Sequence, residues 1–433
     1  MQYEIINISN SLTLYYLQTD KFKTASFGAY FVRPMRQSDN PFKLLCLRVM
    51  KNATEKYPNK LSLYRHADNM FGTSIQSQSS TLGNNFIMGF DVNILNDKYV
   101  KLVHDSGDAD LCDEAAALLN QLLFHPKRTS EGLFDGKIVE KEKDKFIDII
   151  KSQKNDTYSY AISQAVKLMC KDEPVSYIPT EEAVQAIDAK LLTEYYDDIS
   201  NTSSLDIVYT GATCRTAVIE SVKKHFGDFS PAIQTPLEYS KPYRIPADIK
   251  RQEENCDSMQ SKLVIGFRTP FTIFDGDKYY IAIMFDQIFG SGSASKLFLN
   301  VREKLGLCYS CASSYNAFNG NMVAHCAISD YNRVKAEREI LAQLYKMQNG
   351  EISDFEIECA KQTVASAYNS IEDSPESIEN YYFERMVFGV DADIEQSIAS
   401  AGAVTKEQIV EYAKRVFPDT VYFLHGVKNW SNE

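Results

Sequence analysis

The chain has 433 residues, of which 44% are hydrophobic and 24% charged, a composition typical of a globular protein with a substantial core. Its formal net charge is −12, and its 46 Lys and Arg residues are scattered, which argues against a nucleic-acid partner. No apolar run approaches the roughly 18 residues of a membrane span, and residues 1–10 lack a signal-peptide pattern. Nine cysteines without regular spacing predict reduced thiols and a cytoplasmic location without a membrane partner.

The first half of the sequence alternates between strand and helix patterns. Alternating β-branched and aromatic residues predict strands, and apolar residues at helical spacing predict helices. The predicted strands cover residues 11–17, 24–32, 73–80, 85–94 and 205–209, and the predicted helices cover residues 60–71, 113–123, 134–154, 158–170 and 215–225. Gly83 and Asn84 supply a hairpin turn. This order predicts an α+β domain with an antiparallel sheet.

The composition of the sequence changes after this first domain. Residues 227–255 are proline-rich and lack a helical period, so we interpret them as a linker. The predicted domains are therefore residues 1–226 and 256–433. The second domain has predicted helices over residues 334–347, 352–368, 375–388 and 405–416 and a closing strand over 420–427. Ser374 is predicted to cap the third of these helices, with Pro375 at its first position.

Two short segments of the first half are echoed in the second. GAYFVRP (28–34) resembles GFRTP (266–270), and FGTSIQSQSS (71–80) resembles LGLCYSCASS (305–314). Arg268 follows Arg33 by 235 residues, and Gly306 follows Gly72 by 234. Because the two offsets nearly agree, we predict that the α+β domain is duplicated.

Residues 41–58, PFKLLCLRVMKNATEKYP, can be aligned with the inverted zinc motif His-x-x-Glu-His, but they lack its metal-binding and catalytic residues. In that motif two His one helical turn apart chelate zinc, and the Glu beside the second His activates a water. Leu44 and Arg48 stand at the ligand positions, and Leu47 stands at the base position. Leucine offers no lone pair, and a guanidinium carries a permanent positive charge. These residues predict a site without metal.

Residues 295–310, SKLFLNVREKLGLCYS, contain a helix ending in Arg-Glu-Lys, then Gly-Leu, then a tyrosine on the next strand. Together with residues 41–58, this stretch resembles the M16 peptidase family (pitrilysin, insulinase and mitochondrial processing peptidase), in an inactive bacterial subunit. The resemblance implies two homologous α+β domains, each an antiparallel sheet packed against helices, that form a clam-shell chamber. It also implies that Arg302 and Tyr309 hold the substrate backbone, because both side chains can donate hydrogen bonds to a peptide carbonyl. The alternative is an arginine that pairs or caps within the helix and a tyrosine packed in the sheet.

The resemblance also implies where a third zinc ligand would lie. In the family this ligand is a Glu seven residues after another Glu on a long helix. Counting from Glu142 places it at Ile149, so we predict that this ligand is missing as well. We expect the chain to hold neither a metal nor another cofactor and to contain no catalytic residue of its own.

Other motif-like features carry less weight. GSGSASK (290–296) does not match the spacing of a phosphate-binding loop. Cys308 and Cys311 resemble a redox or zinc pair, but residues three apart on a strand are expected to point to opposite faces. The six histidines lie far apart in the sequence, so no local chelate forms, although a site built from distant residues stays open. No G-x-S-x-G elbow is present.

These features predict a non-catalytic M16 subunit. We expect it to pair with a zinc-bearing M16 homologue, or with a second copy of itself, and to bind or orient peptide substrate in peptide processing. One alternative is a peptide-binding or assembly scaffold that takes no part in proteolysis. Another is an active enzyme with a displaced metal site.

Overall fold

The computed structural model describes residues 2–103, 110–239 and 243–427. Its strands are β1 (Gln2–Asn7), β2 (Leu12–Gln18), β3 (Thr24–Pro34), β4 (Ser74–Leu82), β5 (Asn85–Leu95), β6 (Ser204–Gly211), β7 (Lys250–Cys256), β8 (Ser261–Arg268), β9 (Cys308–Asn316), β10 (Asn321–Ile328) and β11 (Phe417–Gly426). Its α-helices are α1 (Phe42–Met50), α2 (Lys60–Asn69), α3 (Asp97–Val103), α4 (Leu111–Phe124), α5 (Gly136–Ser152), α6 (Thr157–Met169), α7 (Glu181–Gln185), α8 (Ala189–Thr202), α9 (Arg215–Phe226), α10 (Lys278–Asp286), α11 (Arg333–Gln348), α12 (Asp354–Ser370), α13 (Pro375–Val387), α14 (Ile394–Gly402) and α15 (Lys406–Ala413). A π-helical segment, Leu297–Lys304, precedes β9. Across these ranges, no helix combines the length and apolar character needed to span a bilayer.

The first of two compact units contains Met1–Lys151, Ile178–Glu238 and Ile371–Asp391. Its sheet has the strand order β1-β2-β6-β3-β5-β4. Strands β2 and β6 are parallel, and the other neighbours are antiparallel. Strand β4 is therefore an edge strand, joined to β5 by a tight turn at Gly83, which has a positive φ of 61°.

The second unit contains Ser152–Tyr177, Tyr239–Ser370 and Ala392–Glu433. Its sheet has the order β7-β11-β8-β10-β9, with β7 and β11 parallel. This order matches β2-β6-β3-β5-β4 of the first unit, strand for strand and direction for direction. The prediction of two similar α+β halves is confirmed, and edge strand β9 corresponds to edge strand β4.

Both sheets are mainly antiparallel, as predicted, but each also contains one parallel pair. In each sheet one parallel pair joins strands that are distant in the sequence, β2 with β6 and β7 with β11. A parallel pair needs a long crossover connection, and here several helices and strands lie between the partners. Local alternation in the sequence identifies each strand, but it carries no information about the direction of its neighbour.

Each unit includes one helix from the other half of the sequence. Helix α6 packs on β8 and β11 of the second sheet, where Ala161, Ala165 and Met169 meet Val264 and Tyr422 in an apolar cluster. Helix α13 packs on β3 and β6 of the first sheet. The compact units therefore differ from the continuous stretches 1–226 and 256–433 that the sequence suggests.

The start of α13 follows its sequence signal. The side chain of Ser374 accepts a hydrogen bond from the backbone N–H of Ser377, and Pro375 occupies the first helical position, as predicted. A proline is tolerated there because its missing N–H would have no partner in the first turn. The sequence thus fixes where α13 begins, although not which sheet it covers.

The predicted linker, residues 227–255, ends in a strand rather than a loop. Strand β7 begins at Lys250 and pairs with β11 at the edge of the second sheet. Its sequence, KRQEENC, contains four charged residues and lacks the apolar alternation by which strands are recognised. Charged side chains are typical of edge strands because they discourage pairing with other chains.

The repeated arginines lie at equivalent ends of β3 and β8. Arg33 donates to Asp39 Oδ1 at 2.6 Å, and Arg268 donates to Asp419 Oδ2 at 3.2 Å. All four side chains are buried. Each charge is thus satisfied by an opposite charge, without which burial would be costly.

The face of the first sheet beneath α13 also contains a buried acid, Asp206 on β6. The hydroxyl of Tyr15 donates to its Oδ1 at 3.5 Å, the only hydrogen bond recorded for this carboxylate within the described residues. Burial raises the pKa of Asp206 to about 7. The folded state therefore binds this proton more tightly than the unfolded chain does between about pH 4 and pH 7, so stability from this group is lost as pH rises through 7.

We expect Asp206→Asn to gain stability relative to the wild type as the pH increases. An asparagine keeps the acceptor for Tyr15 but carries no charge to bury. The difference in unfolding free energy should change in favour of the variant by on the order of 4 kcal/mol between pH 4 and pH 8. Urea denaturation of both proteins across this range measures it. A difference that does not vary with pH would contradict the assignment of a raised pKa.

Candidate functional site

Helix α1, predicted to correspond to the zinc-motif helix, lies along edge strand β4. The ammonium of Lys43 donates to Thr81 Oγ1 at 3.0 Å, and that of Lys51, just after the helix, donates to the carbonyl of Ile75. Burial lowers the pKa of Lys43 to about 8. The two lysines therefore attach both ends of α1 to β4.

The side chains at the predicted ligand positions form an apolar and cationic contact. Leu47 is buried, and Leu44 and Arg48 are partly buried on the same side of α1, one turn apart. The guanidinium carbon of Arg48 lies 5.7 Å from the centre of the Phe146 ring on α5. A cation stacked on an aromatic ring is favourable, whereas the same positive charge repels a metal ion.

The position on α5 that meets α1 is Phe146, which is 2% exposed. Ile149, the position predicted from the family spacing, is 40% exposed. Phe146, three residues earlier, is thus the residue of α5 that contacts Arg48, and Ile149 as the counterpart of the third ligand stays a prediction. The count began at Glu142, and nothing in the sequence fixes which residue of α5 faces α1.

Within residues 2–103, 110–239 and 243–427, no group of three or more His, Cys, Asp and Glu side chains is placed to hold a metal ion. Several histidines have other contacts. His225 lies 3.0 Å from Asp113 Oδ1, and His66 stacks on Tyr57.

Arg302 and Tyr309 lie together, as the sequence spacing suggested. The guanidinium carbon of Arg302 is 4.6 Å from the ring centre of Phe298 and 5.8 Å from that of Tyr309. Its Nε atom also lies 3.4 Å from Glu303 Oε1, so part of the guanidinium is paired within its own helix. Tyr309 is 79% exposed and is not packed in the sheet. The pair forms a polar, solvent-facing surface.

An irregularity in β9 explains why Tyr309 points outward. Ala327 pairs with Ser310, but the next residue, Ile328, pairs with Cys308, so Tyr309 is an extra residue in the strand. Such a bulge redirects side chains. It also brings the thiols of Cys308 and Cys311 into hydrogen-bonding contact, which raises the pKa of Cys308. The expectation that these cysteines point to opposite faces was therefore wrong.

The chain has relatives among known proteins. The family profile described as "Peptidase M16 inactive domain" matches residues 186–364. The chain is 27% identical to the "Probable inactive metalloprotease YmfF" of Bacillus subtilis over 431 residues, which is 99% of each chain. It is 22% identical to the "Uncharacterized zinc protease YmxG" of the same organism, covering 80% of this chain and 83% of the relative.

Two solved structures share the fold over nearly the full length. A conserved protein from Enterococcus faecalis is 26% identical with a TM-score of 0.88, and 99% of each chain is covered. A peptidase M16 inactive domain from Pseudomonas fluorescens is 12% identical with a TM-score of 0.77, again with 99% of each chain covered. The chain is therefore similar to M16 peptidases in sequence and in fold, including relatives that are described as inactive.

The alignment of α1 with the M16 zinc motif allows a test of whether Phe146 faces the two predicted ligand positions. We expect the triple variant Leu44→His, Arg48→His, Phe146→Glu to bind about one zinc per chain, because two histidines one turn apart would face a carboxylate on α5. Zinc in the purified protein is measured by elemental analysis after dialysis.

A matched variant places the carboxylate at the other position. Leu44→His, Arg48→His, Ile149→Glu should retain little zinc, since Ile149 lies about one helical turn further along α5. Equal zinc in both variants, or more in the second, would restore the original prediction for Ile149.

Proposed function

We propose that this chain is a non-catalytic M16 subunit that binds an extended peptide and presents it to a zinc-bearing M16 partner. The observation that carries this proposal is the exposed pair of Arg302 and Tyr309 at the bulge of edge strand β9. Both side chains donate hydrogen bonds, and a peptide backbone offers a carbonyl acceptor at every residue.

The location of this pair on an edge strand supports peptide binding. Strand β9 is hydrogen-bonded to β10 on one side and ends the sheet on the other. An extended peptide can add to such an edge through main-chain hydrogen bonds, while neighbouring side chains select the peptide. The bulge at Tyr309 places its phenol hydroxyl next to the guanidinium of Arg302 at this edge, so two hydrogen-bond donors face solvent together.

The residues of α1 support the non-catalytic part of the proposal. Leu44 and Arg48 cannot hold zinc, and Leu47 cannot act as a base. Hydrolysis therefore requires a second chain with an intact metal site. A partner of the same family is the simplest source, and the cytoplasm is the proposed location.

The proposal predicts a specific loss in a reconstituted pair. We expect affinity purification of the chain from its native cells to yield a His-x-x-Glu-His homologue. With that homologue and a quenched peptide substrate, Arg302→Ala and Tyr309→Phe should each raise KM by about tenfold with little change in kcat, because each removes a hydrogen bond to bound substrate.

Two exposed residues of the same unit provide matched controls. Tyr331→Phe removes a hydroxyl that is equally open to solvent, and Arg338→Ala removes an exposed guanidinium. Neither change should affect KM. Peptide binding without cleavage, beside every homologue, would favour the assembly scaffold. Cleavage by this chain alone at stoichiometric zinc would overturn the proposal.

A further inference from the structure

A small acidic pocket lies in the first unit between strands β4 and β5 and helix α13. Asp91 and Glu379 form its floor, and Gln76, Glu376 and Asn380 form its solvent-facing rim. The cavity measures about 10 Å³, which is about the space that one water-sized group requires. All of these residues belong to the same compact unit.

The floor of the pocket contains an unsatisfied carboxylate. Asp91 is 5% exposed, and no nitrogen or hydroxyl group of the described residues donates a hydrogen bond to either of its oxygens. Its near neighbour is the carboxyl of Glu379, also 5% exposed, and the two carboxyls hydrogen-bond to each other through a shared proton. Because no N–H or hydroxyl group supports Asp91, loss of that proton leaves its oxygens open to a cationic donor.

The second carboxyl is held in place by the sheet. The hydroxyl of Tyr30 donates to Glu379 Oε1 at 2.9 Å. The ring of Tyr30 lies directly over Gly28, where a Cβ atom would come within 2.4 Å of the tyrosine hydroxyl. The glycine therefore provides the space that lets Tyr30 reach α13. This arrangement fixes Glu379 beside Asp91, and Ser26 on β3 also hydrogen-bonds to Glu379.

An acid pair could also serve only to join α13 to the sheet. For that role the pair needs one shared proton and no opening. The proton requirement is met, because burial and the neighbouring charge raise the pKa of Asp91 well above its usual range, and burial raises that of Glu379 to about 7. The opening to solvent past Glu376 and Asn380 is not explained by that role. A docking role alone would be better served by apolar residues.

We infer that this pocket binds the ammonium group of a lysine side chain from an extended peptide lying beside β4. This inference rests on the proposed function in that the ligand is an extended peptide, but it concerns edge strand β4 of the first unit, a site separate from the Arg302 and Tyr309 pair on β9. Gln76 of β4 lies opposite Asp91 of β5 on the same face of the sheet. A strand added outside β4 would place alternate side chains on that face, about two strand spacings, or roughly 10 Å, from Asp91.

The size and chemistry of the pocket select lysine over other cations. A guanidinium is planar and larger than the single water-sized space, whereas an ammonium is compact and is carried on a flexible four-carbon stem. Its three N–H donors can bond to the carboxylates of Asp91 and Glu379 after the shared proton has left, and to the amide oxygen of Gln76. A divalent metal is less suitable because the described residues contain no cluster of three metal-binding side chains.

Binding should be coupled to release of the shared proton. The titratable groups that face the pocket are Asp91 from β5, Glu376 and Glu379 from α13, and the Tyr30 hydroxyl from β3. None of them is basic. A lysine ammonium therefore replaces the proton, and its affinity should rise as the pH increases from 6 to 8.

The test uses the full chain and fluorescent nine-residue peptide pools in which one position is fixed as lysine, arginine or norleucine. Norleucine has the lysine stem without the charge. At pH 8 we expect the lysine pool to bind at least about tenfold more tightly than the norleucine pool, as measured by fluorescence polarisation. Asp91→Asn and Glu379→Gln should each abolish this preference while leaving binding of the norleucine pool unchanged.

Asp206→Asn is the matched control, because it neutralises another buried acid of the same sheet that does not line the pocket. It should leave the lysine preference intact, and thermal melting of each variant checks folding. Equal binding of all pools would overturn the lysine site and leave peptide binding standing. Binding of no pool would overturn both proposals.

A further arm separates peptide lysine from a free cation. Ammonium chloride should compete weakly with the lysine pool and should not change the melting temperature of the wild type more than that of Asp91→Asn. Stabilisation by ammonium ions that depends on Asp91, without any preference among the pools, would assign the pocket to a free cation and overturn the inference.

Discussion

The first sheet has a polar face, and the fold depends on covering it with helix α13. Three buried carboxyl groups lie at this contact: Asp91 and Asp206 belong to the sheet, and Glu379 belongs to the helix. Burying carboxyls is unfavourable unless they are protonated, paired or hydrogen-bonded. Aromatic contacts supply the compensating stabilisation, because the ring of Phe383 packs against Tyr15 and Tyr30 at centroid distances of 5.4 and 4.9 Å.

In the second unit, the contact between the sheet and its exchanged helix is made by apolar residues. Helix α6 lies on β8 and β11 through alanines and Met169, and the sulfur of Met169 comes so near Gly266 that a Cβ atom there would lie 2.6 Å away. Gly266 leaves space for Met169 of α6, and Gly28 leaves space for Tyr30, which contacts α13. The exchanged helix therefore makes an apolar contact in one unit and covers a charged pocket in the other.

The sequence predicted local features well and long-range ones poorly. Strands, the Ser374 cap, the duplication and the proximity of Arg302 and Tyr309 follow from spacing, because each depends on residues close in the chain. The exchange of α6 and α13 does not, since helical periodicity shows that a face is apolar but not which sheet it covers. The bulge at Tyr309 and the choice of Phe146 over Ile149 depend on partners elsewhere in the fold. Asp91 did leave a signal, as a lone acid in the largely apolar strand NFIMGFDVNIL.

Loss of a metal site need not disturb the surface beside it, and the magnitudes explain why. A structural zinc contributes on the order of 10 kcal/mol, whereas the stacking of Arg48 on Phe146 contributes about 1 kcal/mol. The arginine therefore cannot replace the metal energetically. Burial of the apolar side of α1, including Leu45, Leu47 and Val49, contributes about 2 kcal/mol for each side chain and is sufficient to keep the helix in place. Because α1 stays attached to β4 through Lys43 and Lys51, the edge strand and the acidic pocket next to it persist without zinc. The packing that holds α1 and the edge strand is thus independent of the residues at the predicted metal positions.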